Sequence, residues 1–75
     1  MSIDAQLLET YPILQFFAYE HLPSKLQAIS KPFCELACSV AKNAGNDIED
    51  AETYWCLRKL LEAKDCAVRA ALPRK

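Results

Sequence analysis

The chain is poor in the residues on which most small-molecule chemistry relies. It has one histidine, His21, one glycine, Gly45, and a formal net charge of -1. A single histidine rules out the His and Asp clusters with which phosphodiesterases bind metal and activate water. A single glycine leaves no Gly-rich loop to cradle phosphates, and neither H-E-x-x-H nor G-x-S-x-G is present. His21 closely precedes Pro23 at a helix junction, where capping or packing is the commoner role for the ring. Without positive charge in excess there is no general attraction to long polyanions, so DNA and RNA are not expected partners. No apolar run approaches the roughly 20 residues that cross a bilayer. Asp4 and Glu9 stand where a secretory signal would carry basic residues. The expectation is a cytosolic protein that is not an enzyme, needs no cofactor and touches no membrane.

Four cysteines raise the question of disulfides or zinc, but Cys34, Cys38, Cys56 and Cys66 all fall in strongly helical segments. Cys34 and Cys38 are one turn apart. Cys56 and Cys66 are ten residues apart, which leaves them roughly 80° apart around a helix. That is a poor four-ligand cage, so reduced, partly buried thiols and no metal are expected.

What the chain does have is apolar content. Hydrophobic residues make up 52% and charged residues 25% of its 75 positions, the composition of a folded domain. A chain this short is one domain, 1–75, and buries only about 60% of the surface its unfolded form exposes. Self-association is the expected remedy for the remaining apolar surface.

The periodicity is helical throughout, and the fold class is all-α. Residues 1–22 form an N-terminal helical segment, with one short helix over 2–9 capped by Ser2 and a second over about 11–20. Pro12 is tolerated in the first turn of that second helix, which carries Ile13, Leu14, Phe16 and Phe17. Residues 23–72 form an antiparallel helical hairpin. Its first helix, about 24–43, starts at Pro23-Ser24 and carries the stripe Leu26, Ile29, Phe33, Leu36, Ala37 and Val40. Pro32 interrupts it, predicting a kink, with Ser30 available as a local cap. Gly45 stops this helix and Asp47 caps the next, about 48–72. There Tyr54, Leu57, Leu61 and Val68 line one side, with Leu60, Ala67 and Ala71 beside them. The opposite side offers Arg58–Glu62 and Asp65–Arg69 pairs at helical spacing.

Such a chain can supply a ligand seat of cations and aromatic faces, drawn from Lys25, Lys31 and Arg69 and from Tyr11, Phe17, Tyr19 and Tyr54. Lys25 and Lys31 are six residues apart, about 240° around one helix. One helix face therefore does not unite them, and an assembly is needed to complete a seat.

The run FFAYEHLPSKLQAISKPFCELA, followed by LRKLLEAKDCAVRAAL, resembles the viral anti-CBASS cyclic-nucleotide sponge family. Its helical hairpin is also similar to one in a Thoeris-inhibiting sponge. The likeness spans about 11–72. It implies a phage protein acting in the cytoplasm of the infected bacterium, a homohexamer that sequesters cyclic dinucleotide and trinucleotide immune messengers without cleaving them. Carried onto this sequence, the resemblance assigns the dinucleotide to Tyr11 and Lys25, with Phe17 and Lys31 beside them, and the trinucleotide to Arg69 with Ser30. A reading of a different class is a helical interaction module whose Phe16–Phe17 surface engages a host protein and takes no nucleotide.

Overall fold

The computed structural model describes residues 3–44 and 50–72. Within them the chain forms helices α1 (Ala5–Thr10), α2 (Ser24–Ala44) and α3 (Ala51–Ala71), with a 3-10 helix, Pro12–Phe17, between α1 and α2. No strand occurs among the described residues. The expected caps at Ser2 and Asp47 and the stop at Gly45 lie outside the described residues. Asp4 caps α1 instead, its Oδ1 accepting the Gln6 N–H at 2.8 Å.

The second short helix, expected over about 11–20, is a shorter 3-10 helix over Pro12–Phe17. Pro12 accounts for the break. It pushes the preceding Tyr11 out of the α region, and Tyr11 sits at φ -127°, ψ 81°. With three residues per turn, Leu14 and Phe17 share one edge and Ile13 and Phe16 the next. Leu14 and Phe17 are fully buried, whereas Phe16 is 57% exposed.

The turn into α2 is held by Gln27. Its amide donates to the carbonyls of Leu22, at 2.7 Å, and Glu20, at 3.2 Å. The Pro23 carbonyl accepts the N–H groups of Leu26 and Gln27, so the helix begins where Pro23-Ser24 predicts. α2 runs through Pro32 as one helix. Ser30 does not cap a restart there, because its Oγ is buried without a hydrogen-bond partner.

The stripe expected to face the core is displaced. The fully buried positions of α2 are Ser30, Cys34, Ala37 and Ala41, and only Ala37 belongs to the predicted set. Leu26, Ile29, Phe33 and Val40 are half-buried, and Leu36 is 50% exposed. The buried row lies roughly 80° around the helix from the large apolar row. Its small side chains let α3 and the 3-10 helix approach α2 closely, while the large residues close over the edges of that seam.

Six residues separate Ala44 from Ala51, and α2 and α3 pack along each other, so the pair is an antiparallel hairpin. Asp50 starts α3, its Oδ2 accepting the Thr53 N–H at 2.9 Å and the Thr53 hydroxyl at 3.2 Å. On α3 Leu57 is fully buried and Tyr54, Leu60, Leu61, Ala67, Val68 and Ala71 are half-buried, the side predicted from periodicity.

Among the described residues, five of the nine buried apolar ones, Tyr11, Ile13, Leu14, Phe17 and Tyr19, come from the short segment before α2. The hairpin alone therefore has too little to close on, and the N-terminal segment supplies the bulk that its small-residue seam lacks.

Candidate functional site

Positions along the hairpin follow from three contacts. The Tyr11 hydroxyl accepts the Asp50 N–H at 3.2 Å, at the start of α3. Pro12, Ile13 and Phe16 stand against Tyr54 and Arg58. The Lys64 ammonium donates to the Phe16 carbonyl, further along α3. The 3-10 helix thus runs in the direction of α3 and against α2, and the chain reverses through 18–23 to begin α2 beside the far end of α3.

This course gathers some of the expected site residues and separates others. Lys25 and Lys31 are exposed on the first half of α2, and Arg69 is exposed in the last turn of α3. The antiparallel hairpin brings these stretches to one end of the molecule. Ser30 is buried beside them in sequence, its Oγ unpartnered. Tyr11 lies at the opposite end, where α2 finishes, and the two ends of a 21-residue helix are about 30 Å apart. Within one subunit, Tyr11 and Lys25 do not share a seat.

Tyr11 and Phe17 are also fully buried. Both were expected to present aromatic faces to a ligand, and both rings are instead central to the core. Pro12 turns the chain inward just after Tyr11, and the three-residue period carries Phe17 to the same inner side as Leu14. Tyr19 is buried, and its hydroxyl is pushed above the usual tyrosine range by burial, with further contributions from the charges of Glu20, Cys34 and Glu35. Glu20 is held below the usual carboxylate range chiefly by its own backbone N–H.

Of the two expected ion pairs on α3, Arg58–Glu62 forms at 4.0 Å between side chains that are more than half exposed. Arg69 departs from the expected partner Asp65: its Nη2 donates to the Cys66 sulfur at 3.3 Å. The four cysteines are free thiols, with Cys34 buried, Cys38 half-buried and Cys56 and Cys66 exposed. Burial pushes the Cys34 thiol up to about 11, and the neighbouring Cys38 adds to the shift. Among the described residues no three His, Cys, Asp or Glu side chains are grouped so as to hold a metal ion, and no helix is long and apolar enough to cross a membrane.

Sequence reasoning passed over a notch of about 320 Å³ lined by Pro12, Ile13, Gln15, Phe16, Tyr54 and Arg58. Its signals were the three-residue step from Ile13 to Phe16 and the four-residue step from Tyr54 to Arg58. The first becomes legible only once the 3-10 period is known. Compared with known protein families, with curated proteins and with solved structures, the chain has no match.

Proposed function

We propose that this chain binds cyclic dinucleotides and trinucleotides and holds them without chemical change, acting in the cytosol of an infected bacterium as a stoichiometric sink for immune messengers. The observation that carries the reading is the exposure of Lys25, Lys31 and Arg69 at one end of the hairpin. A cyclic oligonucleotide presents phosphates around a compact ring, and fixed cations are what such a ligand asks of its host. No reactive group is required. A nanomolar site corresponds to about -12 kcal/mol, more than three exposed cations of one subunit supply, so the reading includes a homo-oligomer, a hexamer on the family resemblance. Exposed Leu36 and Leu72 give the chain apolar surface for that assembly.

The test is recovery of the ligand. Labelled cyclic GMP-AMP incubated with the protein and then released by denaturation returns intact; the appearance of linear products overturns sequestration. Isothermal titration against a panel of cyclic di- and trinucleotides, with the oligomer mass measured alongside, checks that the complex forms at all.

A second reading, the protein interaction module, is favoured by one observation: Phe16 and Trp55 are each more than half exposed. The surface it rests on narrows to Phe16, since Phe17 is in the core. It predicts no heat with any cyclic nucleotide and strong binding of an exposed-hydrophobe dye by the free protein.

A further inference from the structure

We propose that the notch between the 3-10 helix and α3 is a seat for a planar aromatic ring that carries an anionic group, apart from the stretches that carry Lys25, Lys31 and Arg69. Its lining combines apolar Pro12 and Ile13, the aromatic rings of Phe16 and Tyr54, and the polar side chains of Gln15 and Arg58. The volume, about 320 Å³, is at the lower end of the range for small-molecule seats.

Three features select the ligand class. Phe16 keeps 57% of its surface exposed while its neighbour Phe17 is wholly buried, so one ring of the pair is left for something other than the core. Tyr54 makes an edge-on contact with Trp55, ring centroids 5.8 Å apart at 77°, a favourable geometry for an aromatic pair. Arg58 lines the same notch as these rings. Its pairing with Glu62 is at 4.0 Å between well-exposed side chains, a contact of little strength that a better-placed anion displaces. Aromatic rings and a planar cation in one lining match an aromatic body with a phosphate or carboxylate close to it.

The chain's one tryptophan is the reporter, because Trp55 touches Tyr54. Adenosine 5'-monophosphate and phenylacetate serve as probes for the two kinds of ligand, with adenosine and inorganic phosphate as the ring-only and anion-only controls. A saturable change in Trp55 fluorescence is expected with adenosine monophosphate, with phenylacetate or with both, and not with either control. Arg58→Gln and Phe16→Ala each weaken it by roughly tenfold or more. Both side chains are exposed, and the Phe16 group that Lys64 engages is the backbone carbonyl, so circular dichroism of both variants matches the parent. Absence of saturation with both probes, equal binding of inorganic phosphate, or an unaltered affinity in Arg58→Gln overturns the proposal. Cyclic di-AMP titrated in parallel separates the two readings. A protein that takes a probe but ignores every cyclic nucleotide loses the sequestration reading and keeps the notch. One that takes cyclic nucleotides and neither probe keeps the first and loses the second.

Discussion

At the scale of single residues, Tyr11 changes most between sequence and structure. As a ligand-stacking residue its removal would weaken binding and leave the helices as they were. With its ring fully buried and its hydroxyl on the Asp50 N–H, Tyr11→Ala instead destabilises the fold by about 3–5 kcal/mol. Tyr11→Phe, which removes only the hydrogen bond, costs about 1 kcal/mol. Urea unfolding followed by circular dichroism separates the two, and a parent-like midpoint for Tyr11→Ala would remove the ring from the core. Cys34 makes a second prediction. Its thiol is pushed above the usual 9.0 to about 11, chiefly by burial, so the folded state favours the neutral form. The stability this confers is fully present below about pH 9 and is lost as pH rises through about 11. Cys34→Ala is expected to show a flatter decline in melting temperature over that window than the parent does. In native protein, thiol reagents should reach Cys56 and Cys66 first and Cys34 last, as mass spectrometry of labelled peptides would show.

At the scale of elements, helix existence and the buried side of α3 were legible, and the buried side of α2 was not. The boundaries of α2, expected at about 24–43 and observed at Ser24–Ala44, follow from Pro23-Ser24 and from unbroken periodicity. The face it buries does not. Hydropathy ranks Leu26, Phe33 and Leu36 above Ser30 and Ala41, yet the close approach of two neighbours to α2 selects small side chains for its seam. Only the packed structure reveals how near those neighbours come. Pro32 is exposed within α2, where it forfeits the hydrogen bond to the Ala28 carbonyl. Pro32→Ala restores a donor without removing packing and is expected to raise stability by about 1–3 kcal/mol, read as a higher urea midpoint. An unchanged or lower midpoint would mean that the ring itself contributes to packing. The period of the 3-10 helix was not legible, because a sequence of six residues after a proline is compatible with either period, and tertiary contacts choose.

At the scale of the whole molecule, the shape is elongated. The extents are 44 × 22 × 15 Å and the radius of gyration is 12.8 Å, against about 11 Å for a compact chain of this length. A long thin body has much surface for its core, which is why Phe16, Leu36, Trp55 and Leu72 remain exposed. Leu36 is the large apolar residue of α2 that points furthest from the seam, so it is the natural probe of self-association. Under the self-association proposed above, Leu36→Glu is expected to lower the mass measured by light scattering while leaving the helical signal unchanged. A parent of monomer mass would remove the proposed assembly, and an oligomer mass that persists in the variant would remove Leu36 from the contact.

The sequence by itself determined that the chain is helical, that a hairpin follows Pro23, and that cations stand near the beginning of one long helix and the end of the other. These are properties of local period, of proline and of chain order, which act over a few residues. Tertiary structure alone decided that Tyr11 and Phe17 serve the core, that Ser30 and Cys34 line the seam, and that Phe16, Tyr54 and Arg58 meet in one notch. Those outcomes depend on which surfaces touch across distant parts of the chain, and burial is set by the neighbour that covers a side chain as much as by the side chain itself.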